Sequence, residues 1–234
     1  MKRLLVAALA LAALGAAGRA DDAAAATECR GLQSCIRVVG PWVRVPPGAT
    51  PTSFHLACPG RGQTVGGLDV DKAGRAVDVT FLGATGGPVS PGVTTGREIV
   101  FVARATAGTV VTFRPRLGCI PAAGGGGRSR TAYEPKRKLT AHLAAAPKVV
   151  RRARTVRLPA AGEDVASFAC RSGETLLAAS SAIAFRTKTA PTLARLSSVR
   201  TSVDRIGRRA LATVRGHPPA GVRVVLQIQL VCAR

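Results

Sequence analysis

Six cysteines, Cys29, Cys35, Cys58, Cys119, Cys170 and Cys232, carry the clearest chemistry in this chain. An even cysteine count in an exported chain reads as a disulfide framework. A zinc site would need C-x-x-C pairs or histidines at ligand spacing. Neither occurs, so no metal ligand is assigned. Three histidines are present. His55 falls on the outward face of its strand pattern, His142 in a linker and His217 in a Pro-rich loop. None sits in a G-x-S-x-G, an H-E-x-x-H or a phosphate-binding loop. Asp69, Asp71 and Gly74 resemble the start of a calcium loop, but the later ligands are missing, and a hairpin turn accounts for them. Asp78 and Glu98 flank the loop Gly83 to Gly96, where paired carboxylates would suit glycoside hydrolysis. Nothing in the sequence fixes their separation. No catalytic residue and no cofactor is assigned.

The loop Gly83 to Gly96 is itself unusual, long and rich in Gly, Pro and Thr. Long loops on rigid β scaffolds often carry binding, and an ordered crossover is the plain alternative. Its counterpart later in the chain, Arg186 to Ser202, is more basic and lacks that Gly/Pro density.

The other chemical feature is positive charge. The chain has 34 Lys and Arg against 12 Asp and Glu, a formal charge of +22 over 234 residues. It is densest in residues 120–157, with ten basic residues and one acidic. The candidate anionic-polymer ligands are Lys136, Arg137, Lys138, Arg151, Arg152 and Arg154. A field of this sign favours wall polymers, acidic glycans, released nucleic acid or an acidic protein partner. Specific nucleic-acid recognition usually interleaves aromatics for stacking. Only Tyr133 lies in the basic segment, so no specific nucleic-acid partner is expected. Compositional bias towards Arg and Ala is a second explanation of the charge. Apolar residues make up 47% of the chain, too many for wholesale disorder.

Lys2 and Arg3 precede the apolar run Leu4 to Leu14, and small residues continue to Ala26. That layout is a secretory signal peptide, residues 1–26, with cleavage after Ala20 or Ala26. Cys29 follows Glu28 rather than a small residue, which argues against lipid anchoring. No second apolar stretch is long enough to span a bilayer, so the expected place is secreted or in the cell envelope.

Behind these residues lies a repeat. Val43-Arg44-Val45-Pro46 matches Val156-Arg157-Leu158-Pro159, Leu56-Ala57-Cys58 matches Phe168-Ala169-Cys170, and Cys119 matches Cys232. The period suits two tandem domains. It also proposes the pairing: Cys58–Cys119, Cys170–Cys232, and Cys29–Cys35 closing a small loop. Alternation is the dominant local pattern. Val222, Val224, Leu226, Ile228, Leu230 and Cys232 share one face; Arg223, Gln227 and Gln229 take the other, as in a half-buried strand. In the equivalent earlier strand Pro115 calls for a bulge or an edge position. Leu176 to Ala184 is helical by propensity, but the repeat places it on a strand. The expectation is an all-β chain of two tandem immunoglobulin-like antiparallel sandwiches, each with one internal disulfide. Their bounds are 27–119 and 151–234, joined by a Gly-rich basic linker at 120–150 containing Gly124 to Gly127. The buried Trp of antibody-type domains is missing, since Trp42 precedes Cys58.

Phe54 to Gly60, Val65 to Leu68, Phe81 to Gly83, Thr94 to Arg97, Ala184 to Lys188 and the ending Val224 to Cys232 resemble exported tandem β-domain proteins of high-GC, actinobacterial-type bacteria. The resemblance covers most of the mature chain. It implies export and the two-domain plan, and it carries no activity. The expected function is non-enzymatic: an exported binding or structural protein with electrostatic affinity for anionic polymers or a protein partner. The alternative is a carbohydrate-binding module or glycan-active enzyme using the Gly83 to Gly96 loop.

Overall fold

The computed structural model describes residues 28–32, 34–84, 86–89, 96–122, 149–158 and 164–234. The expected signal peptide lies outside the described residues. The N-terminal half supplies β1 (Ile36–Val39), β2 (Trp42–Val45), β3 (Thr52–Ala57), β4 (Gln63–Lys72), β5 (Val77–Gly83), β6 (Glu98–Ala105) and β7 (Val111–Pro121). The C-terminal half supplies β8 (Val149–Arg157), β9 (Asp164–Ala169), β10 (Thr175–Arg186), α1 (Leu193–Ser197), β11 (Val199–Ile206), β12 (Arg209–Gly216) and β13 (Arg223–Ala233). The molecule is all-β, and every ladder between strands is antiparallel. Leu176 to Ala184 lies in β10, where ladder pairing overrides its helical propensity.

Two three-stranded sheets, β3-β6-β5 and β11-β12-β9, accompany one seven-stranded sheet. The large sheet runs β4-β7-β2-β10-β13-β8, with β1 also on β7. Its two halves meet where β2 pairs β10, Val43 opposite Ala184 and Trp42 opposite Phe185. Residues that alternate along β10 enter different cores. Ala182 and Ala184 pack with Phe54, Phe101 and Phe113. Ile183 and Phe185 pack with Val199, Ala210 and Ala212. Period two sends successive side chains to opposite faces, so the small sheets lie on opposite faces of the large one. The halves therefore do not keep separate large sheets.

Ring packing sets the thickness of the first core. Phe101 of β6 meets Phe81 edge-on at 5.5 Å and stacks on Phe113 of β7 at 6.4 Å. Pro115 occupies a central strand, where the sequence calls for a bulge or an edge position. The break falls in its partner: β1 ends at Val39 and β2 resumes at Trp42, while the Gly40 N–H donates to the Pro115 carbonyl. A side chain at Gly40 would press on the proline ring at 2.6 Å. Proline withholds its N–H from the ladder here, and a two-residue gap in the partner absorbs that loss.

Each small sheet is tied to the large one by a disulfide. Cys58, just past β3, joins Cys119 of β7, and Cys170, just past β9, joins Cys232 of β13. Cys29–Cys35 closes the N-terminal loop. That loop rests on the sheet: the Glu28 carbonyl lies so close to Gly67 and Gly118 that a methyl at either position would overlap it. The Glu28 carboxylate is buried and receives an Arg116 hydrogen bond at 2.9 Å.

In the chain-entropy view, a bridge spanning 61 residues contributes about 4 kcal/mol by restricting the unfolded chain. Replacing Cys58 and Cys119 together by Ala should cost about that much in a denaturant titration. Gly118→Ala should instead spare the core. It should release the N-terminal loop, read as faster proteolysis near Arg30 with little change in the unfolding midpoint.

Candidate functional site

β3 pairs β6 along one edge only. Its other edge meets β13, and two glutamines satisfy it. The Gln227 Oε1 accepts the His55 N–H at 2.6 Å, and its Nε2 donates to the His55 carbonyl at 3.0 Å. A side-chain carboxamide thus stands in for the peptide group of a neighbouring strand. The Gln229 Nε2 donates to the Ser53 carbonyl, and also to Gln227 Oε1 at 3.1 Å. Gln227 Nε2 reaches Thr155 Oγ1 of β8 at 3.1 Å.

His55, Gln227 and Gln229 are all buried, which corrects their expected outward, solvent-facing positions. Alternation reports that the two faces of a strand meet different surroundings; it does not say that one is wet. Here the polar face of β13 meets the polar edge of β3. A pair of glutamines at alternate positions in an otherwise apolar strand was the available signal.

Beside this contact lies a cavity of about 400 Å³, lined among others by His55, Leu56, Glu98, Thr155, Arg186 and Gln227. His55 is buried, and its Nδ1 has no hydrogen-bond partner. Burial, then the charge of Arg151, lowers its pKa to about 4. It is neutral at pH 7. Glu98 is half-buried, and desolvation pushes its carboxyl up against the opposing pull of Arg97. Arg151 reaches the turn at Gly86, whose φ of +94° and closeness to the guanidinium leave no room for a side chain. That turn is tied by Gly86 N–H to the Gly83 carbonyl at 2.9 Å and Gly83 N–H to the Gly87 carbonyl at 2.8 Å. The Arg151 Nη1 is buried without a partner.

The basic candidates separate. Lys136, Arg137 and Lys138 lie outside the described residues, as do His142 and, in the loop Gly83 to Gly96, Thr85 and residues 90–95. Arg151 turns inward as above. Arg152 pairs with buried Glu174 at 2.6 Å, and Arg154 donates to the Ser167 carbonyl at 3.2 Å. Glu174 also accepts the Arg171 N–H at 2.9 Å and lies 3.4 Å from Arg234. The Arg152 hydrogen bonds, ahead of the Arg171 N–H, hold its carboxyl below the usual carboxylate range. Cys170 and Cys232 stand beside Glu174, but their sulfurs are spent on each other, so the trio cannot ligate a metal. Asp71 of the suspected calcium loop pairs with Arg116 at 2.9 Å on β4. Asp78 is exposed on β5.

Two acid-sensitive devices follow, with signs fixed by linkage. The folded pKa of His55 lies below its ordinary 6.5, at about 4, so its stabilising neutral form is fully present above 6.5. That contribution is lost as pH falls from 6.5 to about 4, and the loss is about 3 kcal/mol. Glu174 adds a second loss at lower pH, as its depressed carboxyl protonates. Stability measured by denaturant from pH 7 to pH 4 should therefore drop in the wild type. His55→Leu should flatten that drop while leaving the lower step in place.

No protein family, curated protein or solved structure matches the chain, so the functional reading rests on its own residues.

Proposed function

We propose that this is an exported, disulfide-braced binding protein of the cell envelope or secretome, which holds anionic polymers or an acidic protein surface by charge. We read the chain as two repeated immunoglobulin-like sandwiches fused through one sheet. Supporting that reading, β2-β7-β4 faces β3-β6-β5 in the first half, and β8-β13-β10 faces β9-β12-β11 in the second. Three disulfides are compatible with an oxidising compartment, and no helix among the described residues is long and apolar enough to cross a membrane.

The observation that carries the electrostatic reading is a cluster of arginines where the halves meet. Arg200 of β11 stands opposite Arg215 of β12 in the ladder. Arg44 of β2, anchored by its Nε on the Leu196 carbonyl at 2.8 Å, lies near enough to Arg200 to be affected. Its pKa is lowered first by burial and then by the charge of Arg200. The charge of Arg200 bearing on the half-buried Arg44 concentrates positive potential at this join, which a bound polyanion would neutralise. From residue 149 to the end, fifteen basic residues face four acidic ones, which extends the same field.

Retention on a sulfated-polysaccharide column under a salt gradient tests this. The variant Arg200→Gln should elute at lower salt, and Lys136→Gln, Arg137→Gln, Lys138→Gln should lower it further. Unchanged elution in both would sink the proposal. The alternative, a glycan-binding or glycan-active module, draws support from the tight turn at Gly83 to Gly87 against Arg151. Salt-insensitive retention on a neutral glycan, or its hydrolysis, would favour that reading. Sequencing the N-terminus of the secreted chain should find Asp21 or Thr27.

A further inference from the structure

We propose that the tip of the β11–β12 hairpin, together with a bulge in β10, docks this protein onto an anionic lipid bilayer surface. The site lies at the end of the C-terminal half that carries the Cys170–Cys232 disulfide, and it does not rest on the polymer reading. Two local features turn apolar side chains outward there. The hairpin closes in two residues: Ile206 pairs Arg209, and Gly207 takes a φ of +59°. Ile206 stands at the base of that turn and is 61% exposed. In β10 the register slips between Leu176 and Ala178, which leaves Leu177 as the extra residue of a bulge, 47% exposed. Bulges re-aim side chains. The Arg205 Nη1 donates to the Leu177 carbonyl at 2.9 Å, so the bulge and the end of the hairpin are held side by side.

Arginines gather round this pair. Arg205, Arg208 and Arg209 come from the hairpin, Arg171 from the turn after β9, and Arg234 follows β13; all five are exposed. The Cys170 N–H donates to the Arg208 carbonyl at 3.0 Å, and Arg208 Nη1 donates to the Arg171 carbonyl at 3.4 Å. Arg234 lies 3.4 Å from Glu174. Glu174 itself is buried and engaged by Arg152, so it offsets little of the charge outside. Asp204 is the acid on the exposed face of β11.

Charge and apolarity together choose the partner. Exposed apolar groups rimmed by charge mark protein or membrane contacts. Arginines alone would suit any polyanion, but a hydrated polysaccharide gains nothing from leucine and isoleucine side chains. A protein interface centres on anchors, enriched in aromatic rings and arginine, that fill packed pockets; here two aliphatic side chains project from a turn and a bulge. A bilayer with anionic headgroups meets both features at once. The aliphatic tips enter the acyl boundary while the guanidiniums stay at the level of the phosphates. Each arginine held near such a surface strengthens binding about fivefold.

The oxidised, secreted protein is mixed with vesicles of phosphatidylcholine alone, or of phosphatidylcholine with phosphatidylglycerol, and the bound fraction is read by co-sedimentation. Binding to the anionic vesicles should be tighter by more than about tenfold. Leu177→Ser with Ile206→Ser should weaken it about fivefold at unchanged net charge and Tm. Arg208→Gln with Arg209→Gln should weaken it about 25-fold. Ile206→Trp should show blue-shifted emission on the anionic vesicles, against a steady background from the buried Trp42. Arg200→Gln is the control. Arg200 lies about 20 Å along β11 from Ile206, beyond the Debye length of ~8 Å at physiological salt, so this variant should bind vesicles as wild type does. No preference for anionic vesicles overturns the proposal. So does undiminished binding in the double Ser variant, which would leave charge alone, or the absence of a blue shift. Equal weakening of the Ser variant on the sulfated-polysaccharide column would assign the tip to the polymer and overturn it too. The two readings fail separately: Arg200→Gln tests the polymer join, and the Ser variant tests the tip.

Discussion

A sheet edge cannot be buried with its peptide groups bare, and β3 is such an edge. Everything that joins the two halves has to respect that constraint. A neighbouring strand would satisfy it, but β13 is already flanked by β10 and β8 within its own sheet. Gln227 and Gln229 solve the problem with side chains. Each carries an amide chemically like the peptide it replaces, on a stem long enough to cross from one layer to the next. The cost of an unmet buried peptide group is about 1–3 kcal/mol. Losing Gln227 would leave two such groups unmet and losing Gln229 one, so the arrangement tolerates little substitution. The cavity beside it exists because side-chain amides bridge the layers at points, leaving room between them that a ladder would fill.

The shared sheet follows from residue size along β10. Ala182 and Ala184 turn towards the N-terminal core, Ile183 and Phe185 towards the C-terminal one. Small residues on one face let β3 come down close to the sheet, while larger ones on the other face fill the second core. β2 has the same two-sided character, with Val43 in the first core and Trp42 on the face of Phe185. Arg114 lies over the Trp42 ring at 5.8 Å, closing that join with a cation–π contact. Both strands at the junction therefore serve two cores at once, which couples the halves mechanically.

Much of the fold was legible in the residues, for reasons that differ by feature. The three disulfides could be read because the repeat in sequence spacing limits which cysteines share a unit. The strands could be read because alternation survives wherever one face of a strand differs from the other. What could not be read was which surface each face meets. His55 and Gln227 look like solvent-facing residues because polarity and period carry no information about distant partners. The contact between them spans 172 positions in the chain. The same limit applies to Glu28, whose isolated carboxylate gives no sign of Arg116, 88 positions away. Arg151, Arg152 and Arg154 form one basic group in the sequence, yet alternation on β8 turns Arg151 to one face and Arg152 and Arg154 to the other, and each meets a different partner.

Those tasks bear on how the net charge acts. Glu28, Asp71 and Glu174 are engaged by Arg116 and Arg152, and two of these acids are buried. An acid committed to an internal ion pair screens its own partner and little else. The arginines on the exposed faces of β11 and β12 thus have Asp204 as the one acid on their own strands. A surface built this way keeps its positive potential over a wide pH range, because arginine does not titrate there. The seam behaves oppositely, since its His55 takes up a proton at about pH 4 and its Glu98 is already displaced upward. The proposed surface attraction and the integrity of the seam should therefore respond differently to acid: the first persists while the second weakens.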